Sequence, residues 1–431
     1  MQKVLKSARV PLAFALPVFA WLGCSSSSDS ATSGGPNGGD ASDGGTLADG
    51  AGGGGGGGGT SKDGGTVLTS PDGGTIHAGN PDGSCKSGIP AAGNPVDTSS
   101  PTTVVGTGTS ASCTFTALKA AVTAGGIVTF DCGSAPTTIA VTETLDWPST
   151  KDSTIDGGGK ITLDGGNSVQ IMTFKGTDFQ ANEKRLTVQH IALVNGKIAG
   201  SEPIPTAPAP CSQGFDAGDG GAIFVNDGNL TVIDSIFDNN HAAPVGPDVG
   251  GGAIRMIGSK HGALIVSSTF TNNSAANGGG IGCLFSDLEI YDSLITKNSA
   301  TGHDANNAGT KAQCDYMNNG QNELGSGGNG GAMYSDGAQG SANHGSPISN
   351  VVLCGDEITD NSAGTNAFGG GVFFTSNDFS GTLTFTDTTM TGNTGGHWTS
   401  VKTGSTTNAG TAVGTNTKSL TIVDSTLQGV P

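Results

Sequence analysis

Basic and aromatic side chains are scarce in this 431-residue chain. Its 18 Lys and Arg face 36 Asp and Glu, a net charge of −18, and that balance disfavours nucleic acid and anionic membrane surfaces as partners. Hydrophobic residues make up 34%, aromatic ones 5% and charged ones 13%, too little large apolar surface for a compact helical enzyme. There is no Cys-x-x-Cys and the 7 histidines are scattered, so no metal site and no cofactor is expected. What the chain has in excess is glycine, 76 residues without a Gly-X-Y period, which excludes collagen and leaves a flexible linker or a solenoid of short strands. Both readings apply, to different segments.

Residues 1–24 carry Lys3, Lys6 and Arg9, then an apolar run from Val10 to Leu22 broken by Pro11 and Pro17, and end at Gly23-Cys24. The layout is that of a secretory signal, and the run is too short for a comfortable membrane span. Leu22-Gly23-Cys24 resembles a bacterial lipobox, with Trp21 in place of the usual leucine. The resemblance implies acylation of Cys24, a lipid anchor as the sole membrane attachment, and an outer-membrane, surface-exposed location in the cell envelope. Residues 25–84 are Ser, Gly, Asp and Thr with eight consecutive glycines at 52–59, and read as a disordered tether with a reach of roughly 40–46 Å. The folded domain is expected over 85–431.

Within that domain one phrase recurs: apolar, x, apolar, x, x, small polar, x, apolar. Its copies begin at Leu186, Leu230, Ala263, Leu288, Val351, Leu383 and Leu420, and the shortest spacing, Ala263 to Leu288, is 25 residues. The central five are followed by Asn240, Asn273, Asn298, Asn361 and Asn393, while Gly196 and Val430 stand at that place in the first and last. A second phrase, Gly-Gly-small-apolar, precedes each central copy, as at Gly220-Gly221-Ala222-Ile223 and Gly251-Gly252-Ala253-Ile254. Strands this short cannot bury an apolar face alone, so successive rungs must stack. Stacking aligns the asparagines into a hydrogen-bonded ladder about 4.8 Å per step, and Gly-Gly fits a corner with positive φ. The excess length between copies falls into insertions near 200–218, 301–329 and 336–347.

Gly-Gly-Ala-Ile followed by Phe-x-x-Asn, as at 220–223 and 237–240, resembles the repeats of polymorphic outer membrane proteins and, more broadly, pectate-lyase-like right-handed parallel β-helices. The resemblance covers roughly 154–427 and implies an all-β, right-handed parallel β-helix. Phe115, Leu118 and Val122 have helical spacing between Thr114 and Gly125, which predicts a short N-terminal capping helix. Cys113 and Cys132 flank it, so a bridge between them would clamp the cap; Cys211 and Cys314 are a second candidate pair, both in insertions.

Polysaccharide lyases and hydrolases occur on this fold, yet the hydrolase motifs Asn-Thr-Asp, Asp-Asp, Gly-His-Gly and Arg-Ile-Lys are all missing. If Ile223, Ile254, Ile281, Met333 and Val372 face inward, period two puts Phe224, Arg255, Gly282, Tyr334 and Phe373 outward on successive rungs. Such a row suits stacking on sugar rings or a cation–π contact; the competing reading is that inserted loops pack on it. His303, Asp304, Asp315, Tyr316, Glu323 and His344 in the insertions supply acid, base and ligand types without a readable geometry. The function expected is that of a monomeric lipoprotein binding an extended ligand, polysaccharide or a surface protein, without catalysis. A polysaccharide lyase or glycoside hydrolase using the inserted loops, and a purely structural stalk, are the alternatives.

Overall fold

The computed structural model describes residues 65–69, 74–198, 218–246, 248–303, 327–338, 350–365, 367–376, 380–395 and 412–428. Cys24, Cys211, Cys314, the tether up to residue 64 and nearly all of the three insertions lie outside the described residues.

The chain is mostly β, with long parallel sheets. One sheet has eight strands in sequence order: Leu145–Trp147, Met172–Lys175, Ile223–Asn226, Ile254–Ile257, Ile281–Leu284, Met333–Ala338, Val372–Ser376 and Val413–Asn416. Its register runs Ile223, Ile254, Ile281, Met333, Val372, Val413, each paired with the next. A second sheet stacks the recurrent phrase itself, aligning Leu186, Leu230, Ala263, Leu288, Val351, Leu383 and Leu420. A third, shorter row of parallel bridges joins Lys197, His241, Ser274, Ser299, Ser362 and Thr394.

The inward side chains of the sheets form one continuous core in which Ile223, Val225, Ile254, Met256, Leu230, Val232 and Phe237 are fully buried. Phe237 and Phe270 stack within it with ring centroids 4.7 Å apart, the direct product of identical residues meeting on neighbouring rungs. At the Gly-Gly corner the first glycine holds a positive φ, 66° at Gly220 and 71° at Gly251. The second is excluded from bearing a Cβ for another reason: at Gly252 that atom would collide with the carbonyl oxygen of Gly279 in the next repeat.

The asparagine ladder is continuous. Each amide oxygen accepts from the amide of the preceding asparagine, Asn240 to Asn273 at 3.0 Å and then Asn273 to Asn298, Asn298 to Asn361 and Asn361 to Asn393 at 2.9 Å. It starts at the Gly196 N–H, which donates to Asn240. It ends on Gln428, whose Oε1 accepts from the Asn393 N–H, so the ladder closes one residue after the last apolar position and not at Val430. A parallel hydroxyl ladder runs through Ser235, Ser268 and Ser293, where Ser268 Oγ accepts from Ser235 N and Ser293 Oγ from Ser268 N. Asp356 takes the next place and accepts from Ser293 N; burial raises its carboxyl well above the usual range.

The helix Phe115–Ala124 is capped by Thr114, whose side chain accepts from Ala117 N. Its buried face, Leu118, Ala121 and Val122, joins the core. The helix packs on Thr103–Val105 and Leu145–Trp147, the first strands of the two sheets. Cys113 and Cys132 are bridged beside it. No helix among the described residues is long and apolar enough to cross a membrane.

The tether expected over 25–84 requires correction at its C-terminal end. Val67–Thr69 and Thr75–His77 pair antiparallel, and Leu68, Ile76 and Ala78 pack on Ala192, Val194 and Ile236 of the second sheet. Thr66 N donates to Asp234, Cys85 N to Asp292 and Lys86 N to Asp387, one aspartate after another along a single corner of the stack. Cys85 is then bonded to Cys354, a pair that the sequence reading did not anticipate. The described domain therefore includes residues 65–69 and 74–84, because a few apolar side chains and backbone donors suffice where the sheet already presents complementary groups.

Candidate functional site

Register places Phe224, Arg255, Gly282, Tyr334 and Phe373 side by side on the outer surface of the eight-stranded sheet. They are outside the core, as period two requires, but they are not an exposed platform. Arg255 is 0%, Tyr334 1%, Phe224 2% and Phe373 6% exposed. The segments that lead into the Gly-Gly corners and out of the strands fold over this face. Phe224 packs with Ile257, Leu284 and Phe285, and Phe179 lies edge-on to Phe285 at 5.7 Å. Phe373 is stacked between Tyr334, at 5.3 Å, and Phe368, at 6.1 Å. The assignment of Phe224, Arg255, Tyr334 and Phe373 as an open ligand-binding row is corrected accordingly: loop packing covers it.

Arg255 is the charged centre of that covered face. Its Nη2 donates to the Asp248 carbonyl oxygen, its Nε lies 3.5 Å from Asp219 Oδ1, and its guanidinium carbon is 5.9 Å from the Tyr334 ring centroid. Gly282 makes this possible, since a Cβ there would stand 3.1 Å from Arg255 Nη1 and 2.7 Å from Gly251 N. Tyr334 Oη donates to Asp336 at 2.6 Å. Although Asp248 and Asp336 keep part of their surface in solvent, burial of the carboxyl end pushes Asp248 up to about 7, with Asp336 adding to the rise and Arg255 opposing it. Burial also raises Asp336. The cluster is a charge-compensated plug under loops. None of its aspartates was singled out from sequence; the available signal was that Asp219 directly precedes a Gly-Gly corner and Asp248 lies three residues before the next.

The open surfaces lie elsewhere. A groove of about 390 Å³ is lined by Leu68, Thr69, Thr138, Thr162, Asp164, Val194, Asn195, Asp238, Asn239 and Asn272. Asn195, Asn239 and Asn272 hold positive φ of 53°, 56° and 56°, a backbone region that asparagine tolerates better than most residues, and each turns its amide along the stack. Asn195 Nδ2 donates to Asp164 at 2.9 Å, Asn239 Nδ2 to Asn195 at 2.7 Å, and Asn272 Nδ2 to Asp238 at 2.8 Å. The groove thus carries hydroxyls at Thr69, Thr138 and Thr162, carboxylates at Asp164 and Asp238, and amides at Asn195, Asn239 and Asn272. A second groove, about 410 Å³, lies beside Lys86, Asp387 and Asp424 and is spanned by the Lys86–Asp387 ion pair.

Of the residues noted in the insertions, only His303 is described. His261 pairs with Glu183 at 2.6 Å on an exposed surface. Among the described residues no group of three His, Cys, Asp or Glu could hold a metal ion. Cys283 is a buried thiol whose pKa burial pushes up to about 12, so it is not a nucleophile. No protein-family model, curated protein or solved structure matches this chain.

Proposed function

We propose that this chain is a cell-envelope lipoprotein, anchored through Cys24, whose domain is a right-handed parallel β-helix that binds an extended polysaccharide. The repeat phrases resemble those of polymorphic outer membrane proteins, and sequential parallel pairing of every repeat supports the helix. The observation that carries the ligand assignment is the groove lined by Thr138, Thr162, Asp164, Asn195, Asp238 and Asn239. Rungs about 4.8 Å apart set these carboxylate, amide and hydroxyl groups in steps along the groove, which suits an elongated, hydroxyl-bearing polymer. Asp164 and Asp238 in the lining and a net charge of −18 favour a neutral or amino-bearing chain over a polyuronate.

The test is binding of the full chain to neutral, amino and acidic polysaccharides by calorimetry, then by a Thr138→Ala, Thr162→Ala, Asp238→Ala triple variant. Three hydrogen bonds at about 0.5–1.5 kcal/mol each predict a loss of at least about tenfold. Full affinity in the folded triple variant removes the groove. For the anchor, Cys24→Ser is expected to abolish lipid labelling and release the protein from membranes; retention on membranes refutes it.

A further inference from the structure

On the third row of the stack, His241 stands between Lys197 and Ser274. His241 Nδ1 is 2.8 Å from Ser274 Oγ, and its Nε2 is 2.9 Å from Asn239 Oδ1. From Asn239 the hydrogen bonds continue into the groove: Asn239 Nδ2 donates to Asn195 Oδ1 at 2.7 Å, and Asn195 Nδ2 to Asp164 Oδ1 at 2.9 Å. This chain has a single consistent direction. An ionised carboxylate only accepts, so Asn195 must present its NH2 to Asp164 and its oxygen to Asn239. Asn239 in turn must present its oxygen to His241. The imidazole proton therefore sits on Nε2, and the Nδ1 lone pair accepts the hydroxyl proton of Ser274. The opposite tautomer would set two acceptors against each other at 2.9 Å.

We propose that Ser274 is a nucleophile with His241 as its general base, and that the pair hydrolyses acyl esters. Asn239, Asn195 and Asp164 are positioning residues that fix the tautomer. Ser274, His241 and Asn239 are all part-exposed, so the pair is reachable, and burial together with Lys197 lowers the proton affinity of His241 while Asp238 opposes this. That direction favours the neutral imidazole that a base needs. The other row members lack this arrangement: Ser362 Oγ simply donates to Ser299 Oγ at 3.0 Å. In the reaction Ser274 Oγ bonds to the ester carbonyl carbon as its proton passes to His241 Nδ1. The carbon–oxygen bond to the alcohol then breaks and His241 returns the proton to the leaving oxygen. Water, deprotonated by His241, cleaves the acyl-serine, giving a carboxylic acid and restoring Ser274. Because Asn195 and Asn239 also line the groove, the substrate class is an O-acylated glycan; that choice rests on the groove reading, whereas the nucleophile does not. Catalysis of this kind departs from the non-catalytic role expected from sequence.

The test uses the full chain and a biotinylated fluorophosphonate, which bonds only to activated serines and needs no glycan. Peptide mass spectrometry is expected to map the label to Ser274, with none in Ser274→Ala, at least about a hundredfold slower labelling in His241→Ala, and no change in Ser299→Ala. Asn239→Asp tolerates the same backbone and adds a charge beside Nε2, so it is expected to shift the labelling-versus-pH profile to higher pH, which a merely structural role would not do. Absence of label, label shared equally with Ser299 or Ser362, or a rate unchanged in both His241→Ala and Asn239→Asp overturns the proposal.

Discussion

Replacing Asn273 by leucine, whose side chain has the same number and branching of heavy atoms, tests the energetic role of the ladder. Asn273 Oδ1 accepts from both Asn240 N and Asn240 Nδ2, and its Nδ2 donates to Asn298 Oδ1 and Phe237 O. After the change Asn240 Nδ2 keeps Leu193 O and Asn298 Oδ1 keeps the Asn273 N–H. The backbone N–H of Asn240 and the carbonyl of Phe237 lose the partners just named, in a site where Asn240 is 0% and Asn273 1% exposed. Two buried groups at about 1–3 kcal/mol each predict a loss of about 2–6 kcal/mol. The neighbouring Asn272 is the control: it is exposed, its φ is +56°, and Asn272→Gly is expected to change stability by less than about 0.5 kcal/mol. Urea unfolding of both variants, compared at constant slope, is the assay. Equal midpoints for the two would refute the view that ladder amides hold the stack together.

Arg255→Ala should cost about 3–5 kcal/mol by stranding the buried Asp219 carboxylate, so a fall in melting temperature is expected; an unchanged one would refute a structural role for the pair. The Asp156–His190 pair predicts a pH window. Burial alone would raise Asp156, but hydrogen bonds from His190, Gln189, Gly158 and Thr98 hold it at about 2, and the Asp156 hydrogen bond raises His190. The aspartate's contribution is present above its unfolded value near 4 and lost as pH falls through about 2. The histidine's is present below about 6.5 and lost as pH rises through its raised value. His190→Gln should therefore destabilise more at pH 5 than at pH 9, measured by urea midpoints, and equal effects would exclude a charged pair. Cys85→Ala with Cys354→Ala should cost about 2–4 kcal/mol and open residues 65–97 to protease; resistance equal to the parent would show that the strap holds without the bond.

The stacking register was legible because a period-two apolar pattern leaves only one inward set: Ile223, Ile254, Ile281, Met333 and Val372 meet in the order the phrase predicts. The outward row followed from the same rule, but its covering did not. Whether Arg255 faces water depends on where Asp219, Asp248 and Phe368 return in space, and no local periodicity carries that. Cys354 pairs with a residue 269 positions away, equally beyond local pattern. The antiparallel pair Val67–Thr69 and Thr75–His77 left a usable signal in sequence, Val-Leu-Thr and Thr-Ile-His on either side of Pro71-Asp72-Gly73, which the low apolar content of the segment obscured. The His241–Ser274 contact was legible in principle, since both residues directly follow a ladder asparagine and so had to fall on one row.

The Cys85–Cys354 bond also sets how the molecule would carry mechanical load. Tension arriving along the chain from the N-terminal side reaches Cys85 and crosses to Cys354, so the 269-residue interval between them is bypassed. Without the bond the same pull would lift Lys86 from Asp387, then Val96 from Gln189 and Thr98 from Asp156, and finally unzip Thr103–Val105 from its neighbour. That is peeling, one contact at a time from the capped end. With the bond, force enters at the Asn350–Cys354 strand, which is held by neighbours on both sides, and many hydrogen bonds must shear together. A domain loaded in this way would keep its capping helix and the first strands of both sheets out of the line of force, whereas Leu68 and Thr69, which line the groove, precede Cys85 and would take the load first.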